Sequence, residues 1–180
     1  MTATPSSTRK KVVVRRLDKE LIKGYVNPAS FLGEAGVELL DREGRVGAIP
    51  LNAIKAVYFV RDFEGDPDYV ERKAFLRRPK LDGLWVRLTF KDEEVFEGIL
   101  ANNLLTLDAR GFLVTPADFS SNNLRIFVPR SALSGMEVLA AITNGAARRA
   151  PARTASARRK AEAANSQIGL FPSPPTADSK

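Results

Sequence analysis

The sequence predicts a mainly β chain of two tandem small units followed by a disordered basic tail. Three observations carry that expectation: a hairpin pattern that occurs twice, a closing element that occurs twice, and a break in composition near residue 140. At 180 residues the chain has room for one ordinary domain or two small ones.

The first unit opens with Val12-Val13-Val14-Arg15-Arg16, an acidic turn at Asp18–Glu20, and a second run from Leu21 to Val26 with Gly24 inside it. The second opens in the same way: Val86 to Phe90, a turn at Asp92–Glu94, then Val95 to Leu100 around Gly98. Alternating apolar and polar residues on either side of an Asp-rich turn read as a β-hairpin. A glycine inside its second strand marks a bend or bulge. Val37–Leu40 and Phe112–Val114, each following a glycine, read as further strands. Each unit then closes on Pro, a polar stretch and Ala-Ile or Ala-Leu, at Ile49–Val57 and again at Val128–Met136. That pattern suggests a one-turn 3-10 connection between the last two strands. The hairpins are offset by 74 residues and the closing elements by 79, and the five extra residues are expected in the loop around Pro116–Asn123, where insertions are tolerated.

These boundaries divide the chain into a basic N-terminus 1–11, a first unit 12–60, a charged connector 61–83, a second unit 84–139 and a tail 140–180. Units of about 50 residues bury little surface alone, so they are expected to pack together. Val57, Phe59, Trp85, Phe90 and Phe96 are core or interface candidates. A homodimer through exposed strand edges is the open alternative.

Five short strands, a curled second strand and a 3-10 connection resemble the Sm-like or SH3-like small β-barrel, over roughly 12–60 and 84–139. The resemblance implies two tandem barrels. The whole body also resembles an uncharacterised bacterial tandem-barrel family through Lys91–Gly98, Tyr58–Asp66 and Ser121–Pro129. That resemblance supports the fold and carries no activity.

Composition excludes a good deal of chemistry. There is no Cys and no His, which removes disulfides, thiolate and imidazole zinc sites, and Ser-His or Cys nucleophile machinery. No phosphate loop, nucleophile elbow or paired-carboxylate signature is present. The turn carboxylates Asp18, Glu20, Asp92 and Glu94 read as groups that keep hairpins soluble and guard strand edges. Asp62, Glu64, Asp66 and Asp68 alternate like a calcium loop, but Pro67 stands where such a loop needs Gly and Lys73 where it needs Glu. They read instead as a solvated turn pairing with Arg72, Lys73, Arg77 and Arg78. The sequence therefore predicts no enzyme, no cofactor and no metal.

The net charge of +7 comes from 28 Lys+Arg against 21 Asp+Glu, and it is unevenly placed. Arg9, Lys10 and Lys11 put +3 before the body. Seven basic residues against Glu162 and Asp178 put +5 in 140–180, and 12–139 keep 18 basic and 19 acidic residues, or −1. Nucleic-acid affinity rests largely on Lys and Arg. The candidates for such contact are Arg148, Arg149, Arg153, Arg158, Arg159 and Lys160 in the tail, with Arg130 in the second closing element. Sm-like proteins place a basic residue and Gly there. Here Arg130 is followed by Ser131, and the first unit has Leu51-Asn52. The Arg spacing and second strand motif of PilZ-type cyclic-dinucleotide receptors are not met.

Within the tail, Gln167-Ile168-Gly169-Leu170-Phe171 looks like the bacterial sliding-clamp binding pentapeptide. In such a motif Gln bonds at a pocket rim while Leu and Phe anchor in an apolar cleft. Gln167, Ile168, Leu170 and Phe171 are the candidate partner-binding residues. No secretory leader and no apolar span is legible, so the expected location is the cytoplasm. The sequence thus points to a non-enzymatic bacterial adaptor whose tail engages a protein partner, the DNA sliding clamp being the candidate. An Sm-like RNA or nucleic-acid binder is the alternative.

Overall fold

In the computed structural model, which describes residues 8–103, 105 and 107–143, the chain is built of antiparallel strands joined by turns and two 3-10 turns. The strands are β1 Lys10–Arg16, β2 Leu21–Val26, β3 Leu32–Gly33, β4 Gly36–Asp41, β5 Val46–Ile49, β6 Ile54–Val60, β7 Gly83–Phe90, β8 Val95–Leu100, β9 Gly111–Pro116, β10 Asn123–Pro129 and β11 Leu133–Ile142. They form one open sheet in the order β11-β7-β8-β9-β10-β6-β1-β2-β4-β3, with β5 on the other side of β4. No helix among the described residues is long and apolar enough to cross a membrane.

The internal repeat is visible in the register itself. Val12 faces Gly24 across β1 and β2, and Val86 faces Gly98 across β7 and β8. Val14 faces Val57 across β1 and β6, and Leu88 faces Met136 across β7 and β11. Val37 faces Ile49 across β4 and β5, and Phe112 faces Val128 across β9 and β10. The first repeat thus runs β6-β1-β2-β4-β5 and the second β11-β7-β8-β9-β10, with β3 an addition peculiar to the first. Leu40 pairs with Tyr25 and Thr115 with Ile99, so one extra residue enters before β9 and the other four between β9 and β10. The expected five-residue insertion is therefore split.

Local chemistry explains the shared hairpin. Lys19 N–H donates to Arg16 O at 3.1 Å and Glu93 N–H to Phe90 O at 3.0 Å. Each turn then passes through a left-handed residue, Lys19 at φ 73° and Glu93 at φ 66°. A type I turn followed by a left-handed residue is a favoured hairpin closure. Asp18 and Asp92 support it by accepting the N–H of Glu20 and Glu94 at 3.1 and 3.3 Å. The strand glycines exist for close approach. A Cβ on Gly24 would lie 2.5 Å from Leu40 O, and one on Gly98 would lie 2.2 Å from Val114 Cγ1 and 2.7 Å from Thr115 O.

Alternation on these strands feeds two hydrophobic cores. Val12, Val14, Val37, Leu39, Ile54, Val57 and Phe59 centre the first; Val86, Leu88, Phe90, Phe96, Val114 and Ile126 centre the second. The joint between repeats is the antiparallel pair β6 and β10, where Phe127 faces Val57 and Ile126 faces Tyr58. Because neighbouring residues on a strand point opposite ways, the joint exchanges side chains: Phe127 enters the first core and Ala56 the second. The expected core residues Val57, Phe59, Phe90 and Phe96 are buried. Trp85 is half-buried and instead lies edge-on against Phe75 of the connector, with ring centroids 5.8 Å apart.

Candidate functional site

Among the described residues, the buried charged side chains Lys55, Glu97 and Asp118 are engaged in holding the body together. Lys55, on β6, is 3% exposed. Its ammonium donates to Asp92 and, at 2.5 Å, to Glu94, and it sits 4.9 Å from the centre of the Phe90 ring. Burial works against the charge on Lys55, but its bonds to Asp92 and Glu94 outweigh that and hold its pKa above the ordinary lysine value. Asp92 is held below the usual carboxylate range by its bond to Lys55. Glu94, despite burial, is lowered by Lys55 and by Lys73 at 2.8 Å. Asp92, its side chain 56% exposed, and Glu94 thus do more than keep a hairpin soluble: they reach across the joint and pair a buried cation contributed by the other repeat.

The connector is tied down by two buried carboxylates. Asp118 accepts from the Tyr69 hydroxyl at 2.8 Å, from the Arg72 N–H and guanidinium at 3.2–3.3 Å, and from Ser120 N–H at 3.1 Å. The Arg72 guanidinium is the main reason its carboxyl lies well below the usual range, with Tyr69 adding to it. Glu97 accepts from Trp85 Nε1 at 3.1 Å, Phe75 N–H at 3.2 Å, and Arg87 Nε and Nη2 at 3.2 and 2.9 Å. The acidic turn behaves differently from expectation too. Asp62 pairs with Lys11 and Glu64 with Lys23, while Arg72 and Lys73 go to Asp118 and Glu94. Asp62, Glu64, Arg72 and Lys73 were expected to pair within the connector; partners 21 to 51 residues away take them instead. No group of three or more metal-ligating side chains occurs among the described residues.

Two clefts remain. The larger, about 680 Å³, lies where the repeats meet and is lined by Phe31, Phe127, Ile99, Leu113, Arg110 and Arg125 among others. Arg110 is committed, donating to Asp108 at 2.9 and 3.0 Å and to the carbonyls of Leu32 and Gly33. Arg125 has no side-chain partner among the described residues, so it is the free cation of this cleft. The smaller cleft, about 490 Å³, has Arg15, Lys19, Tyr58, Glu71 and Asn123 in its wall. Glu71 Oε2 accepts from Asn123 at 2.8 Å, while its Oε1 is buried without a partner among the described residues.

Of the residues nominated from sequence, Arg130 alone falls within the described residues. Its guanidinium lies 5.1 Å from the Phe112 ring centre, at the 3-10 turn Arg130–Ala132. Ser131, where the Sm-like pattern has Gly, donates to Leu51 O at 3.3 Å and so ties this turn to its counterpart Leu51–Ala53. Gln167, Ile168, Leu170, Phe171, Arg148, Arg149, Arg153, Arg158, Arg159 and Lys160 lie outside the described residues. Arg125 and Glu71 were missed. Nothing in a single sequence marks one arginine among many as unpaired, or one carboxylate oxygen as orphaned.

No curated protein and no solved structure matches the chain. A family model described as a family of unknown function, DUF6982, matches residues 8–140, a span that takes in both repeats and the connector between them. The chain belongs to that family.

Proposed function

We propose that the protein is a non-enzymatic adaptor of the bacterial cytoplasm, its body two Sm-like or SH3-like small barrels and its tail a peptide ligand for a protein partner. The five-strand order of each repeat, closed through a 3-10 turn, supports the barrel reading. One observation carries the functional reading: Lys55, Glu97 and Asp118, the buried ionisable groups of the body, are each saturated by partners that join one repeat to the other or pin the connector. Groups spent in this way are scaffolding. What remains for function is surface and tail.

In the tail, Gln167, Ile168, Leu170 and Phe171 supply a rim hydrogen bond and a compact apolar anchor, the chemistry a sliding-clamp cleft takes. The basic run 148–160 would lie along DNA threaded through the clamp. Titration of a labelled peptide spanning Asn165–Ser173 against purified clamp tests this. Saturable binding that is lost on replacing Leu170 and Phe171 by Ala supports it; absence of binding, or binding equal after the replacement, refutes it.

A second reading has its own observation. Arg125 is a guanidinium without a side-chain partner among the described residues, in the wall of the larger cleft, a group suited to a phosphate. In this reading body and tail share an RNA contact. Filter binding across a salt series with the full chain and its Arg125→Ala variant decides it: a lowered affinity and a shallower salt slope in the variant favour RNA, and identical curves remove the body from the contact.

A further inference from the structure

The joint inside the chain is half of a pattern that the sheet leaves unfinished. β6 ends the first repeat and β10 is the fourth strand of the second, and they pair with Phe127 opposite Val57, Ile126 opposite Tyr58 and Arg125 opposite Phe59. The counterpart of β6 in the second repeat is β11, and the counterpart of β10 in the first is β5. Among the described residues both counterparts have one free side: β11 ends the sheet and β5 pairs with β4 alone.

Exposure follows this difference. Val57 and Phe59 of β6 are 0% and 8% exposed, while their counterparts Met136 and Val138 of β11 are 44% and 51% exposed. Val46 of β5, the counterpart of Arg125, is 71% exposed. A ten-residue edge strand with two exposed apolar side chains is a surface that another strand can complete.

We infer that β11 of one copy pairs antiparallel with β5 of a second copy, repeating the β6–β10 joint between molecules. Carrying the internal register over by the offset of 79 places Val46 opposite Val138 of the second copy, Gly47 opposite Glu137 and Ala48 opposite Met136. The larger Met136 meets the smaller Ala48, where the internal joint has Val57 against Phe127, so bulk is exchanged across the ladder. Two features of the internal joint are absent: Ser134 stands where Lys55 stands, and Ala48 replaces the ring of Phe127. The intermolecular joint is therefore weaker than the internal one and depends on concentration. Its contact is head-to-tail, since each copy offers two different edges, so it extends from copy to copy until a ring closes. The inference is independent of the tail reading. If both hold, assembly sets several tails side by side and raises their avidity.

The absence of cysteine makes the test direct. Full-length Val46→Cys and Val138→Cys proteins are prepared separately and oxidised alone and as an equimolar mixture. Opposed antiparallel positions lie ~4.5–5.5 Å apart, within disulfide reach. The expected result is a cross-linked dimer in the mixture only, and a ladder of multimers from the double variant. Light scattering of the wild-type chain over a concentration series, which needs no substitution, should show mass rising beyond the monomer. A mixture that cross-links no more than either variant alone overturns the inference, and so does cross-linking of a single variant with itself, which would show a twofold edge contact. A wild-type chain monomeric at every concentration overturns it as well.

Discussion

Replacing Lys55 by Met removes one charge from the centre of the joint and leaves most of its volume in place. The ammonium makes two charge-assisted hydrogen bonds, to Asp92 and Glu94, and such bonds contribute about 1.5–3 kcal/mol each. The full sum is not lost. Asp92 has a side chain 56% exposed and returns to water, and Glu94 keeps Lys73 at 2.8 Å and Arg15 at 3.6 Å. Met also avoids the cost of burying an ammonium. The expected loss is about 1–2 kcal/mol near neutral pH, with a fall in Tm of roughly 5 °C for a body of this size. Asp92 and Glu94 have folded pKa values below their unfolded ones, so the stability they contribute is present above about pH 4 and drains away as pH falls through the lowered values. Lys55 is raised, so its share is complete below about pH 10 and is lost only as pH climbs through the raised value. The difference between wild type and Lys55→Met should therefore be flat from pH 6 to 9 and shrink in acid. Urea unfolding at several pH values measures it. A variant as stable as wild type at pH 7, or a difference that grows in acid, would show that the Lys55 ion pairs do not hold the joint.

Other expectations test separate parts of the fold. Gly98→Ala, which drives a methyl against Val114 and Thr115 O, should cost about 2–3 kcal/mol in urea unfolding, while Gly47→Ala, with nothing within 4 Å, should be close to neutral. Glu93→Gly relieves an exposed left-handed residue and should stabilise by about 0.5–1 kcal/mol; a loss of stability would mean the turn geometry is otherwise. Asp118→Asn converts an acceptor facing Arg72 and Tyr69 into a mixed donor, and should cost about 2 kcal/mol and speed tryptic cleavage after Arg77, as read by mass spectrometry of the digest. Unchanged cleavage would show that Asp118 does not pin the connector.

The repeat was legible because it is written in local chemistry. Asp18 and Asp92 fix the same turn, Gly24 and Gly98 mark the same close approach, and Pro50 and Pro129 precede the same 3-10 turn. Each signal is complete within a few residues. The joint was not legible, because it depends on which strand edge meets which: Phe127 leaves its own repeat for the first core, and nothing near residue 127 records that. The same holds for the connector, whose charges read as a solvated cluster. Arg72 finds Asp118 46 residues away and Phe75 finds Glu97 22 residues away, and composition carries no information about such pairings. Arg125 became notable through the absence of a partner, which is a property of the folded surroundings alone.

The proposed function is binding through the tail, with the body as a scaffold whose own charged groups are spent on its structure. The most direct test is equilibrium binding of the full chain to purified sliding clamp, beside a chain with Leu170→Ala and Phe171→Ala. Saturable binding by the first is expected, abolished in the second, with thermal unfolding of the body unchanged between them. Binding of equal strength by both chains, or by neither, would contradict it.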